Sequence, residues 1–549
     1  KLAKRRELMG EWWKEQVVYQ IYPRSFQDSN GDGVGDIQGI ISRLDYLEWL
    51  GIDTLWLSPV YCSPNEDNGY DISDYIGINP EYGTMRDMDT LIAEAKRHGI
   101  KIIMDLVINH TSCEHKWFQK SRKQIEPYTD YYIWKKGGPN GEKPNNWTSF
   151  FAEDCWEFDE ERGEYYLHLF AKHQPDLNYN NPKVIEEIKE ILRFWLDKGI
   201  AGFRCDVINI LYKTSLENGK KKLILTGSEN YISQEGTHRI LRELNREVLS
   251  KYDCFTVGET VFVDPQMARD LSDMERGELD MLFAFEHMES DQFIVKWFKR
   301  KFSPERFVKT LVKWQNELRW NANYLENHDQ PRSVSRFGDS TAYWDKSAKL
   351  LAMLLLTLKG TPYMFEGEEI GMTNFDFASM DDVRDVESIN VERMMQKTFH
   401  FSKKRRWSMI KKTSRDNART PMQWNSTDSG GFTTGEPWLR VNSNYRRINV
   451  AAQKGDPDSV LNFYRELLSL RKARKVLRLG DFNAVQTSEV LVYDRVLKTE
   501  TLTIALNFSK KKKTLKMNGE LVLSNYSRDC FDGTLSPYEA VIFERKAEN

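Results

Sequence analysis

Three carboxylates stand where short apolar runs end. Asp206 closes Gly202-Phe203-Arg204-Cys205-Asp206, Glu259 follows Val257-Gly258, and Asp329 follows Asn327-His328. Each run reads as a β-strand, so residues two apart project to one face. Arg204 therefore lies beside Asp206, where a guanidinium favours the ionised carboxylate and orients it as a nucleophile. Cys205 points to the opposite face and reads as packing. One acid at a strand end is equally well explained as a loop cap or an ion-pair partner. Three that meet at one mouth point to acid–base chemistry. Two carboxyls suit glycoside cleavage, one attacking or stabilising the oxocarbenium-like centre and the other protonating the leaving oxygen. A third anion nearby raises the pKa of whichever acid must stay protonated.

A second group is Asp28, Asn30, Asp32, Val34 and Asp36, in the run Asp-Ser-Asn-Gly-Asp-Gly-Val-Gly-Asp. Side-chain oxygens at alternate positions and glycine at the sixth match the first part of an EF-hand loop. Position twelve is Gly39 rather than glutamate, so the bidentate ligand is missing. The expectation is a structural Ca²⁺ or Mg²⁺ on the four side chains and the Val34 carbonyl; the competing reading is a polar turn without metal.

The elements that position these groups alternate between strand and helix. Strands are predicted at 17–22, 54–57, 102–107, from 202, and at 255–258, 281–285, 322–325 and 361–364. Helices are predicted at 40–50, 88–98, 182–198, 236–252 and 458–472, with Gly51 and Gly199 as stops. Eight strands with helices between them predict an α/β fold, a (β/α)8 barrel whose active site lies at the C-terminal strand ends. The alternation breaks at 109–174, rich in Trp, Tyr, Asn and Gly, which reads as a subdomain inserted after strand three. Residues 376–447 read as a polar, irregular excursion after strand eight, over the mouth. From about 479 to 549, short alternating runs predict a C-terminal antiparallel β-sandwich, leaving 1–108 and 175–478 to the barrel.

Composition sets the outer limits. The 549 residues exceed one ordinary core. A net charge of −3 gives no reason to expect nucleic acid or an anionic membrane as partner. The run Leu350–Leu358 is too short to span a bilayer, and Lys1–Arg6 lacks the apolar segment of a signal peptide. The six cysteines form no CxxC pair or metal-ligand spacing, which fits free thiols in a reducing cytoplasm. Sixteen Trp and 24 Tyr suit stacking on sugar rings, or simply a large aromatic core.

The ordered motifs Asp105-Leu-Val-Ile-Asn109-His110, Gly202-Phe-Arg204-Cys-Asp206-Val207, Val257-Gly-Glu259 and Glu326-Asn-His328-Asp329 resemble those of the alpha-amylase superfamily. Gln174-Pro-Asp176-Leu-Asn178 resembles a fifth motif, of its oligo-1,6-glucosidase and dextran glucosidase branch. The likeness extends to Asn68-Gly-Tyr70-Asp71, Arg415-Asp-Asn-Ala-Arg419-Thr-Pro-Met-Gln-Trp424 and Gly431-Phe-Thr-Thr-Gly-Glu-Pro-Trp438. The resemblance implies a retaining exo-α-glucosidase, monomeric, needing no redox cofactor, with a small α-glucoside as substrate. It implies Asp206 as nucleophile, Glu259 as acid then base, and Asp329 as stabiliser of the transition state through the sugar's 2- and 3-hydroxyls. His110, His328 and Arg204 would surround them, Tyr70 would stack under the glucose, Asp67 and Arg415 would clasp its non-reducing end, and Phe151 and Gln174 would line the pocket. Val207, directly after the nucleophile, resembles enzymes acting on α-1,6 bonds, whereas alanine or threonine there resembles α-1,4- or sucrose-acting relatives.

Departures from the pattern are Cys205, Thr260 and the lysine-rich loop 213–227. Alternatives of the same chemistry are an α-1,4-glucosidase, a sucrose-acting enzyme, or a trehalose-6-phosphate hydrolase using Lys213 and Lys220–Lys222 for phosphate. An alternative of another class is a catalytically silent, amylase-like accessory domain of a membrane transporter.

Overall fold

The computed structural model describes residues 11–545 except 152, 153, 223, 294 and 518; the basic segment 1–6 lies outside them. Eight parallel strands form the barrel: β1 (Val18–Ile21), β2 (Thr54–Leu57), β3 (Lys101–Leu106), β4 (Gly202–Cys205), β5 (Phe255–Glu259), β6 (Met281–Phe283), β7 (Ala322–Asn323) and β8 (Thr361–Phe365). Their order is β6-β5-β4-β3-β2-β1-β8-β7. The seam between β6 and β7 is bridged by side chains: Phe283 and Tyr324 lie edge to face at 5.1 Å. Strands six and seven are shorter than the apolar runs that announced them, because Ala284–Phe285 and Tyr324–Leu325 leave the ladder to shape the mouth. Almost every strand residue is buried on both faces, as expected for a parallel sheet wrapped by helices. Gly202 opens β4 at φ +143°, and a Cβ there would sit 1.9 Å from the Phe255 carbonyl oxygen. Only glycine lets β4 and β5 approach this closely.

The helices begin where their caps dictate. α1 (Leu44–Leu50) ends at Gly51 in the left-handed region. α2 (Met85–Arg97) opens on a Thr84–Asp87 capping box. Asn181 followed by Pro182 starts α3 (Pro182–Asp197), whose face of Val184, Ile188, Ile191, Leu192 and Trp195 packs inward. α4 (Glu235–Glu247), α5 (Pro265–Ser272) and α6 (Pro304–Glu317) continue the ring. α7 (Trp344–Thr357) is buried all round from Ser347 to Thr357, because the C-terminal domain covers its outer face. Thr357 Oγ1 lies 2.5 Å from the Tyr493 hydroxyl, and Arg495 donates to the carbonyls of Leu477 (2.9 Å) and Gly480 (2.7 Å). The apolar run at 350–358 is thus a helix sandwiched between two domains. α8 (Val460–Ala473) completes the ring.

Between β3 and α3 the chain leaves the barrel for the helix Lys116–Arg122 and a three-stranded antiparallel sheet of Trp134–Lys135, Glu164–Leu167 and Trp156–Asp159. The excursion after β8 is less irregular than its polar sequence implies. It holds the helices Val386–Lys397 and Lys403–Thr413, whose Val391, Met395 and Ile410 pack with Trp297 and Phe377. Their apolar stripes were too narrow to show a clear helical period. The C-terminal domain is a five-stranded antiparallel sheet facing a two-stranded ribbon, with Val492, Ala505, Leu535, Val541 and Phe543 between them. Among the described residues no helix is long and apolar enough to cross a membrane.

Candidate active site

All three carboxylates meet at the C-terminal mouth of the barrel, in two electrostatic settings. The first is built on Arg204, buried on β4. Its Nη1 donates to Asp206 Oδ1 at 2.6 Å and also to Asp105 Oδ1; its Nη2 donates to Glu259 Oε2 at 2.6 Å. One guanidinium therefore serves three carboxyls. Burial, Glu259 and Asp105 together push Asp206 up, and Arg204 opposes them without prevailing. The expectation that Arg204 alone holds Asp206 ionised is corrected here: its charge is divided among Asp105, Asp206 and Glu259, and Asp206 is pushed up in spite of it.

The second setting is reversed. Arg419 Nη2 donates to Asp329 Oδ1 at 2.7 Å, and Arg415 Nη1 lies 3.5 Å from the same oxygen. Burial would raise Asp329, yet His328, Arg415 and Arg419 outweigh it and hold its carboxyl far below the usual range. One pocket thus contains a carboxyl, Asp206, pushed up by burial and its acidic neighbours and, beside it, a carboxylate that stays charged.

The remaining residues close the pocket around these groups. His328 is sandwiched between Tyr70 (5.2 Å, 3° between ring planes) and Tyr22 (6.0 Å, 13°). Its Nδ1 lies 2.7 Å from Gln20 Nε2. An amide N–H can only donate, so Nδ1 accepts and the proton sits on Nε2, which faces Asp329 Oδ2 at 3.5 Å. Burial pushes this imidazole down to about 3, so it stays neutral. Tyr70 also hydrogen-bonds Asp105 Oδ2 at 3.2 Å. Arg415 Nη2 reaches Asp67 Oδ1 at 3.2 Å, and its Nε is anchored on Asp385 Oδ1 at 2.8 Å. That ion pair joins the excursion after β8 to the loop after β2. The Arg415 guanidinium lies 5.6 Å from the centre of the Phe151 ring, and Gln174 Nε2 donates to Asp67 Oδ2 at 3.3 Å. Val207 is buried at φ +35°, a rare conformation for a β-branched residue; its N–H points to Glu259 Oε2 at 3.3 Å.

The sequence-predicted residues around the pocket are therefore brought together. Five further participants were missed. Asp105 lies inside a quoted motif at a strand end, which was its signal. Arg419 follows Arg415 by four residues, the spacing that puts two side chains on one side of a helical turn. Gln20 and Tyr22 alternate on the end of β1. Asp385 gave no sequence signal, since nothing marked it out in a polar stretch.

A row of aromatic rings leads outward from His110. Phe170 lies 5.1 Å from it, Phe150 stacks on Phe170 at 4.8 Å and 5°, and Phe262 follows at 6.5 Å. Phe262 is 52% exposed and stands three residues after Glu259.

The loop of Asp28, Asn30, Asp32, Val34 and Asp36 lies apart from these groups. Asp28 is buried and accepts from the N–H groups of Asn30 (2.9 Å), Gly31 (2.8 Å) and Gly33 (2.9 Å), and from the Thr433 hydroxyl. Asn30 and Asp32 accept from backbone N–H groups two residues on, and Asp36 caps Gly39. The segment 431–438 clasps the loop: Trp438 N–H donates to the Gly33 carbonyl at 2.9 Å, and a Cβ on Gly33 would meet the Glu436 carbonyl oxygen at 1.9 Å. The donors are all hard oxygens, three of them carboxylates, the ligand class of a hard cation; Asp32 Oδ2 and Asp36 Oδ1 keep acceptor capacity, whereas Asp28 already accepts four hydrogen bonds.

Fold and site together define a barrel glycosidase, and the chain belongs to the alpha-amylase family: residues 20–480 match the alpha-amylase catalytic domain. It is a glycoside hydrolase of that family. It is 49% identical to the oligo-1,6-glucosidase of Parageobacillus thermoglucosidasius, over 97% of this chain and 99% of the relative. It is 42% identical to the trehalose-6-phosphate hydrolase of Bacillus subtilis, over 97% and 98%. Among solved structures, it is similar to the trehalulose synthase of Pseudomonas mesoacidophila, with a TM-score of 0.94 at 40% identity over 98% of this chain and 100% of that one.

Proposed function

We propose that this protein is a retaining exo-α-glucosidase that releases glucose from the non-reducing end of isomaltose and short isomalto-oligosaccharides. The observation that carries this reading is that Asp206 and Glu259 are each bound, at 2.6 Å, by one of the two terminal nitrogens of a single guanidinium, that of Arg204. Carboxyls this close suit double displacement; an inverting enzyme keeps them about 6.5–9.5 Å apart to admit a water. Asp206 attacks the anomeric carbon while Glu259 protonates the leaving oxygen, and Glu259 then takes a proton from the water that releases the sugar. Asp329, charged throughout, accepts hydrogen bonds from sugar hydroxyls and stabilises the positive transition state. Tyr70 supplies a face for the ring, and the Arg415–Asp67 pair closes the blind end, so only a terminal residue enters.

The α-1,6 preference rests on Val207 and on the relatives named oligo-1,6-glucosidase. The phosphate alternative loses support because Lys213 is buried against Asp176 Oδ2 at 2.6 Å and Lys222 is paired with Glu229 at 2.8 Å. Initial rates on isomaltose, panose, maltose, sucrose and trehalose-6-phosphate test the reading; isomaltose is expected to give the highest kcat/KM. Nuclear magnetic resonance of the first product should show α-glucose, and β-glucose would overturn the retaining mechanism. We also propose that the 28–36 loop holds Ca²⁺ as a structural ion; a chelator should then lower Tm and Ca²⁺ restore it, and an unchanged Tm would refute this. The cysteines of the described residues form no disulfide, which fits a reducing cytoplasmic setting.

A further inference from the structure

Lys213 is a fully buried ammonium that the chemistry above does not use. It comes from the loop after β4, with its side chain 1% exposed. Its Nζ meets Asp176 Oδ2 at 2.6 Å, Asn109 Oδ1 at 2.8 Å and the Ile210 carbonyl at 3.0 Å. An ammonium in such a place must neutralise something or orient something.

What it orients follows from donor and acceptor counting. A lysine ammonium only donates, and an ionised carboxylate only accepts. The Asn109 amide touches both. Its oxygen faces Lys213, and its nitrogen faces Asp176 Oδ2 at 3.1 Å. Turning the amide over would set donor against donor and acceptor against acceptor, so one orientation is allowed. The second hydrogen of Asn109 Nδ2 then points at His110 Nδ1, 3.2 Å away. Nδ1 must accept, so the proton of the neutral ring sits on Nε2. Nε2–H in turn finds the Tyr70 carbonyl at 3.1 Å. Gln174 obeys the same rule: its Oε1 accepts from Ala171 N–H at 3.0 Å, so its Nε2 carries two hydrogens, which Asp67 and Tyr70 take, and its 3.2 Å approach to His110 Nε2 is a contact between two donors rather than a hydrogen bond.

We propose that Lys213 is a positioning residue, which through Asn109 and Asp176 fixes His110 as the neutral, Nε2-protonated tautomer and so makes its outer edge a hydrogen-bond donor. That edge adjoins Asp67 and Gln174 at the blind end of the pocket. A sugar hydroxyl seated there would share the His110 Nε2–H with the Tyr70 carbonyl and donate to Asp67, a pairing that the other tautomer would reverse. The charged groups that act on His110 are Asp176 and Asp67, which raise it, and Lys213, which lowers it; burial is the largest influence and lowers it too. Removing the ammonium leaves Asp176 buried without a counter-ion. The Asn109 oxygen also loses its donor, so one of the two contacts that dictate how Asn109 lies is gone.

This inference rests on the glucosidase reading for its purpose but not for its test. Long-range ¹H–¹⁵N spectra of ¹⁵N-histidine-labelled protein, with the His110 signals assigned by a His110→Asn sample, report the tautomer directly. The wild type should show Nε2–H only, unchanged from pH 5.5 to 8.5. A wild-type spectrum with the proton on Nδ1, or one that titrates in this range, overturns the proposal without any further variant. Lys213→Met should broaden or split the His110 pattern and reduce kcat/KM for isomaltose at least tenfold, mainly through KM, whereas Lys213→Arg should keep the wild-type pattern. An unchanged His110 pattern in folded Lys213→Met also overturns it. Failure of the wild type to hydrolyse any α-glucoside would instead refute the functional reading and leave the spectroscopic result standing.

Discussion

Arg204→Gln separates the electrostatic account of the carboxyl pair from a purely geometric one. The guanidinium is 2% exposed at its side chain and touches Asp105, Asp206 and Glu259, so dissolved salt does not screen it. Opposite charges 4 Å apart at an effective dielectric of about 20 attract by about 4 kcal/mol, or about three pKa units at 1.36 kcal/mol each. Shared among three carboxyls, and eased by water entering the vacated space, about one unit should remain at the Asp206–Glu259 pair. The acid limb of kcat/KM against pH should therefore move up by at least about one unit, so that activity below the limb falls about tenfold beyond any uniform loss. Stability must follow the same sign. Breaking a buried ion-pair network costs about 3–5 kcal/mol. Without their cation the folded Asp105 and Asp206 titrate still further above the unfolded value of about 3.9. Their contribution is then present at low pH and lost as pH rises through the folded pKa values. The Tm deficit of Arg204→Gln should thus shrink on acidification. The pH–rate profile and thermal melts from pH 4.5 to 8 read both effects. An unmoved acid limb together with a pH-independent Tm deficit would refute the reasoning.

Three further perturbations follow from the same geometry. Val207→Ala opens the wall beside Asp206, and a contact of this kind is worth about 1–3 kcal/mol; the ratio of kcat/KM for isomaltose to that for maltose should fall at least about tenfold, and an unchanged ratio would dismiss Val207 as a linkage determinant. Phe262→Ala removes the outermost exposed ring, and ring stacking worth about 0.5–1.5 kcal/mol should raise KM for isomaltotriose roughly two- to tenfold while leaving a simple aryl glucoside unaffected; equal effects on both substrates would contradict an aglycone role. Glu366 is wholly buried, and burial pushes its carboxyl well up although the Tyr22 N–H at 2.9 Å and Arg332 pull it down. A raised folded pKa lends stability below the unfolded value of about 4.3 and loses it as pH rises through the folded one, so Glu366→Gln should cost little near pH 6 and flatten the alkaline fall in Tm; an identical pH slope in melts would show that Glu366 is already ionised.

Much of the site was legible because the family motifs are short and local. Arg204 and Asp206 share a strand face through period two alone, whereas Arg419, one helical turn from Arg415, carried a signal that went unused. Caps such as Thr84–Asp87 and Asn181-Pro182 place the helix starts without reference to the rest of the molecule. The strand–helix alternation specifies a barrel because parallel strands need crossovers that bury both faces of the sheet.

Tertiary structure alone decided how charge is shared. Nothing in the order of residues reveals that one arginine serves Asp105, Asp206 and Glu259 while two serve Asp329, yet that imbalance determines which carboxyls keep a proton. Nor could composition distinguish Lys213, buried in an ion pair, from the exposed lysines that follow it. Coulombic interaction and desolvation depend on distances between groups far apart along the chain, and only the folded barrel sets those distances.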